Sequence, residues 1–334
     1  MGEGSAMSQF EIVVGQIVGF FIMMMVGYGC VRLRFYGMKT LDGMCMLLTK
    51  ILIPVLVFSN AVAGTTRADI VRNWGIILLT GIMYALLAAT VAVAAWVLRL
   101  HGSRSHLFQA GFMFGNAGFI GIPLVMALFP KDGAIFIVLM SLVDQALLWS
   151  YGVWLCEPVR DAKTGTGSVP AVPPSRRIIG FLRRFANPAF IGIIIALAII
   201  GAGVRIPAMI LAPLHTIGQM STPLSLFYLG GLFALTKWWG IFKKYELYVG
   251  MVIKMLLFPV GFAVLMDWFA GVTGLPLTHE MIQMMALISG LPTMTTIAMF
   301  SGRSKNMPEY AVGMVLVSTL FSLISLTAIS AAIF

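Results

Sequence analysis

The feature that most limits what this chain can fold into is a succession of apolar stretches, each about the length of a bilayer-crossing helix, with little chain between them. Ten can be placed, at 10–31, 44–63, 74–98, 106–129, 134–156, 187–204, 209–235, 245–270, 280–300 and 309–333. A helix of about 20 apolar residues spans the hydrocarbon core, and it pairs its own backbone N–H and C=O groups where no water can. Composition agrees: 60% of the residues are apolar and 10% charged, against roughly 45–50% and 25% in soluble domains. The expectation is an all-α, multi-pass integral membrane protein with ten transmembrane helices and little chain left for a soluble domain.

The net charge of +10 would suit nucleic acid or an anionic surface, so the placement of the basic residues decides its meaning. Counting alternate loops, sixteen basic residues fall on one side, including Arg32, Arg34, Arg104, Arg176, Arg177 and Arg303. Only Arg67, Arg72, Lys131 and Arg205 fall on the other. By the positive-inside rule the richer side is cytoplasmic and both termini are extracytoplasmic. The charge thus reports topology, and no nucleic-acid partner is expected. The first ten residues carry no basic n-region, so the first span is expected to stay in the mature protein. Cys30, Cys45 and Cys156 show no metal-ligand spacing and read as small core residues.

Residues 157–187 form the one linker-like segment, with Pro170, Pro173, Pro174 and the pairs Arg176-Arg177 and Arg183-Arg184. It separates a first five-helix repeat, 1–156, from a second, 188–334. Five is odd, so a second copy would enter the membrane in the opposite sense, as in inverted-repeat transporters. At an offset of 169, Pro54, Phe58, Gly81, Gly121 and Pro123 coincide with Pro223, Phe227, Gly250, Gly290 and Pro292. After eight further residues of insertion, Val138-Leu139 and Ser141 coincide with Val315-Leu316 and Ser318. This predicts a 5+5 inverted repeat.

Within it, spans 4 and 9 each carry a mid-membrane Gly-x-Pro, Gly121-Ile122-Pro123 and Gly290-Leu291-Pro292. Proline lacks the N–H and crowds the preceding turn, and glycine leaves helical geometry cheaply. Both spans are therefore expected to break and cross. Irregular backbone at that depth must be enclosed or line a wet cavity. Second half-helices starting at Pro123 and Pro292 would aim the positive ends of their dipoles at one point and hold an anion there. Ordinary kinks at small-residue packing faces, such as Gly111-x-x-x-Gly115, are the competing reading.

Polar residues at this depth extend the candidate substrate site: Asn116, Gly118, Ser59, Asn60, Ser289, Thr293 and Thr295, with Gly121, Pro123, Gly290 and Pro292 at the breaks. Intramembrane ionisable groups are functional candidates by default. Lys50, Asp144 and Lys254 qualify, with Gln145 beside the aspartate, and they are candidates for proton or ion coupling. Asp144 lies too deep to snorkel and can relay a proton or pair with a lysine. For the two lysines, snorkelling to the interface is equally open. No Walker loop, metalloprotease motif or nucleophile elbow is present, which excludes ATP drive and hydrolase chemistry on motif grounds. No charged ring or carbonyl filter points to a channel. No cofactor or metal is expected, apart from coupled H+ or Na+.

The chain resembles the auxin efflux carrier family, whose bacterial members are malate or malonate permeases. The resemblance is carried by Gly27-Tyr28 with Arg32, Pro54 to Phe58, Gly115-Asn116-Ala117-Gly118 with Gly121-Ile122-Pro123, Asn187-Pro188, Thr222-Pro223 to Phe227 with Gly230, Lys254 to Pro259, Leu291-Pro292-Thr293 and Ser318-Thr319. It implies a fold like that of plant PIN carriers and bile acid sodium symporters. Spans 1, 2, 6 and 7 would form a scaffold that can dimerise, and spans 3–5 and 8–10 a mobile core carrying the crossover. It also implies that Asn116 contacts substrate. The short linker points to a bacterial-type member in the inner membrane that carries small carboxylates by alternating access, with malonate the first expectation. A sodium-coupled symporter of a larger amphipathic anion and an auxin-like carboxylate exporter are the alternatives.

Overall fold

The computed structural model describes residues 3–63, 66–159, 188–236 and 238–333. Most of the expected linker lies outside the described residues. All regular elements among the described residues are helical. They are α1 (Glu3–Arg32), α2 (Met38–Val62), α3 (Arg67–Arg72), α4 (Gly75–Val97), α5 (Gly102–Met113), α6 (Ile122–Leu128), α7 (Gly133–Cys156), α8 (Pro188–Gly201), α9 (Ala208–Gln219), α10 (Ser221–Leu235), α11 (Tyr245–Thr273), α12 (His279–Ser289), α13 (Thr295–Arg303) and α14 (Pro308–Ile333). A 3-10 stretch, Trp238–Lys243, precedes α11. Among the described residues, α2, α4, α7 and α11 are by length and composition able to cross a membrane. A fifth crosses if α14, bent by 50° between Ser322 and Ile324, counts as one span.

Two groups of helices pack mainly within themselves. In one, α1 lies along α10 and α2 is covered by α8 and α9. Glycine brings their backbones together: a Cβ on Gly230 would stand 1.9 Å from the Met24 carbonyl oxygen, and one on Gly27 would stand 2.3 Å from that of Phe227. In a bilayer, where the hydrophobic effect does not drive helices together, such close van der Waals contact is a main source of association. In the other group, α4 packs on α5, α7 and α12, α11 on α12, and α13 on α14. The groups meet where α2 and α8 touch α7, and where α1 touches α6 and α14.

Two helical paths are interrupted. α5 ends at Met113, Phe114 is extended (φ −95, ψ 114), and helical structure resumes at Ala117 with a π turn that runs straight into α6. α12 ends at Ser289, and α13 begins at Thr295 after the extended Met294. The two gaps are joined to each other. Gly115 and Thr293 form an isolated antiparallel bridge, with Asn116 N–H donating to the Pro292 carbonyl at 2.8 Å and Met294 N–H to the Phe114 carbonyl at 3.0 Å. These bonds exchange under a local two-fold that swaps Gly115 with Thr293.

The breaks therefore do not start new half-helices at the prolines as expected. Pro123 lies inside the resumed helix, beyond the interruption at Phe114–Asn116. The π turn Ala117–Gly121 explains why it is tolerated. A π turn moves the preceding carbonyl away from the ring and leaves no bond for the missing N–H to make. The same device recurs: the π turns Leu48–Leu52 and Ile253–Leu257 are followed two residues on by Pro54 and Pro259. Pro292 does lie in a gap, with α13 starting three residues later. The bridge pairs residues 178 apart (293 − 115), not 169. The shared Gly-x-Pro register thus aligns the motifs but not the breaks, and the extra residues between the halves fall before the second gap.

Candidate functional site

Beside the bridge is a cavity whose lining includes the beginnings of both resumed helices. Asn116, Ala117, Gly118 and Ile122 come from one, and Met294 and Thr296 from the other. α2 closes it with Thr49, Ile53, Leu56 and Val57, and α7 with Met140, Ser141, Asp144, Gln145, Leu148 and Trp149. The first N–H groups of a helix have no intrahelical partner and carry the positive end of its dipole. Two such ends facing one enclosed space favour a negatively charged guest.

Asn116 is 1% exposed. Its backbone is committed to the crossing: its N–H binds Pro292, and its carbonyl accepts from the N–H groups of Ile120 and Gly121, each at 3.0 Å. Its side-chain Nδ2 donates to Thr295 Oγ1 at 3.3 Å, tying the two resumed helices together. Gly115 makes the close approach possible, since a Cβ there would lie 3.1 Å from Leu291 Cβ and 3.3 Å from the Ile288 carbonyl oxygen.

Asp144, 2% exposed, is the only ionisable residue lining this cavity among the described residues. The Tyr84 hydroxyl from α4 donates to its Oδ1, and Gln145 Nε2 donates to Oδ2 at 3.0 Å. Gln145 Oε1 in turn accepts from Trp149 Nε1 at 3.1 Å. No cation pairs with Asp144 among the described residues, so the lysine pairing open in the sequence is not formed.

Lys254 and Lys50 part company. Lys50 is exposed, in the π turn of α2. Lys254 is 1% exposed, and its Nζ donates to the carbonyl of Leu291 at the end of α12. The same Nζ lies 3.5 Å from where a Gly115 Cβ would be. The snorkelling reading therefore fails for Lys254: packing holds the amine at the crossing, where it donates to the carbonyl just beyond α12.

Of the other expected residues, Gly118 lines the cavity. Thr295 reaches it through Asn116. Gly121 packs on Leu291 and Gly290 on Ile329 and Pro259, as spacing residues. Ser59 and Ser289 are turned back on their own helices, donating to the carbonyls of Leu56 and Ala286. Thr293 is buried off the cavity, its N–H donating to Ser318 Oγ at 3.0 Å. Asn60 opens onto a second cavity, and Pro123 contributes backbone to the resumed helix. Thr49, Tyr84, Ser141 and Trp149 were not anticipated. The one sequence signal for them was the i, i+4 spacing of Gln145 and Trp149, which places both on one helix face.

Apolar helices, two interrupted paths joined at their gaps and an enclosed cavity between helix starts define a multi-pass membrane protein with a crossover site. Residues 12–330 match the model of the family described as membrane transport protein, and the chain belongs to that family, the auxin efflux carriers. The family is one of transporters rather than enzymes. Among curated proteins none matches the chain.

Proposed function

We propose that the protein is a secondary carrier of small organic anions, of the malonate or malate class, working by alternating access in a bacterial inner membrane. The observation that carries this reading is the meeting of two helix starts at one cavity beside Asn116. In this reading the substrate carboxylate is held by the N–H groups of Gly118 and Thr296, with Asn116 as the side-chain contact. Lys254 hydrogen-bonds the Leu291 carbonyl at the crossing.

The reading takes the ten expected stretches as ten spans in a 5+5 inverted repeat, 1–156 and 188–334, with both termini extracytoplasmic. The local two-fold at the bridge supports it, as do the basic residues crowded into alternate loops. The group of α1, α2 and α8–α10 serves as scaffold and as the face for a homodimer. The group of α4–α7 and α11–α14 moves and carries the crossover.

Coupling is assigned to Asp144. An ionised carboxylate opposes an anion in the same enclosed space, so a proton on Asp144 accompanies the substrate, and the Tyr84 and Gln145 bonds keep the group at the cavity wall. The test is counterflow of a panel of radiolabelled carboxylates in proteoliposomes, with Asn116→Ala as control. Exchange of malonate or malate by the wild type and exchange only at higher concentrations by the variant are expected. Normal exchange by Asn116→Ala removes Asn116 from the site. Uptake that needs sodium and survives a protonophore would replace proton coupling by a sodium symport.

A further inference from the structure

Leu56 and Ile122 line the crossover cavity and also the second cavity, on the side where α2 ends. They come from opposite walls. Leu56 belongs to α2 and is pinned by α9, where a Cβ on Gly218 would stand 2.6 Å from Leu56 Cα. Ile122 opens α6 and therefore belongs to the crossover. The second cavity's polar lining is Asn60, His215, Gln219 and Thr222. Each of these side chains carries a hydrogen-bond donor and none is a carboxylate. His215 Nε2 lies 3.3 Å from Gln219 Nε2. The four basic residues of this side, Arg67, Arg72, Lys131 and Arg205, flank the same helices and raise the local concentration of anions.

We propose that the second cavity is a separate waiting site for the carboxylate, divided from the crossover site by an apolar partition of Leu56 and Ile122 that opens when the crossover slides along α2. This rests on the carrier reading above. An acceptor-rich anion finds donors on both sides of the partition and none across it, so the two side chains would set when, and how large, an anion may pass.

The test uses full-length protein with Cys30, Cys45 and Cys156 replaced by alanine, carrying Asn60→Cys or Asn116→Cys, in sealed vesicles. The probes are the anionic reagent 2-sulfonatoethyl methanethiosulfonate and its neutral methyl analogue, added to the face that reaches Asn60→Cys. Thiol modification follows access, so Asn60→Cys is expected to react about tenfold faster than Asn116→Cys. Adding Ile122→Ala should speed Asn116→Cys by about tenfold and leave Asn60→Cys unchanged. Leu56→Ala serves as a second opening variant should Ile122→Ala fail to elute as a single species. His215→Ala should slow the anionic reagent at Asn60→Cys and not the neutral one. Equal rates at the two positions, or no acceleration by a well-behaved opening variant, overturn the partition. Equal effects of His215→Ala on both reagents overturn the anion site. If no carboxylate exchanges in proteoliposomes while this labelling pattern holds, the carrier reading fails and the partition stands.

Discussion

Asp144→Asn separates transport from its drive. The substitution keeps the size of the side chain and removes its charge. In the native protein Tyr84 and Gln145 both donate to the carboxylate. Asparagine retains one oxygen for Tyr84 but presents an NH2 to Gln145, which cannot turn over because its own Oε1 accepts from Trp149. Two buried NH2 groups then face each other without an acceptor, at about 1–3 kcal/mol each, a lowered melting temperature rather than loss of the fold. The larger effect is on coupling. With the membrane potential clamped at zero, one proton per anion and one pH unit supply about 1.4 kcal/mol, a tenfold accumulation. Proteoliposomes of wild type, alkaline inside, should therefore concentrate labelled malonate about tenfold per pH unit. Asp144→Asn should bring malonate only to equal concentrations, while malonate–malonate exchange continues. Tenfold accumulation by the variant, or its absence in a wild type that exchanges malonate, would refute the role given to Asp144.

Asn116→Ala removes a side-chain contact and the tie to Thr295; half-saturating malonate should rise about 5- to 150-fold, the equivalent of about 1–3 kcal/mol, measured by exchange. Lys254→Met keeps the buried stem and strips the Leu291 carbonyl of its partner, so thermal unfolding in detergent should show a loss of about 1–3 kcal/mol. An unchanged melting temperature would mean that the amine does not hold the crossing. Gly230→Ala places a methyl group 1.9 Å from the Met24 carbonyl oxygen and should cost about 1–3 kcal/mol or more by forcing α1 from α10. Gly43→Ala, with nothing within 4 Å, is the control expected to melt at or slightly above the wild type, because alanine is the better helix former.

Local chemistry marked some of this in the sequence and tertiary contact decided the rest. Apolar length and charge placement are properties of the chain itself, so the helical, membrane-spanning character was legible from them. That spans 4 and 9 would be interrupted was legible from Gly-x-Pro, but where was not. Proline is the strongest local signal, and it drew the expected break to Pro123, although a π turn absorbs a proline without ending the helix. The real gap needs Gly115 because Leu291 and Ile288 press against it, a demand made by a segment far away in the sequence. Asp144 and Gln145 were legible because a polar pair deep in an apolar span is costly. Tyr84 and Trp149 look like any other aromatic in such a span, and only the fold aims their hydrogens at Asp144 and Gln145. Lys254 could not be told from Lys50 by distance to the span end; burial against the crossing distinguishes them.

The bridge between the two interrupted helices is made by main-chain atoms, two N–H groups and two carbonyls on either side of Gly115 and Thr293. Neither gap can widen without unpairing buried amides from the other, so the two interruptions behave as one mechanical unit. The bonds are also indifferent to the side chains at positions 116, 293 and 294.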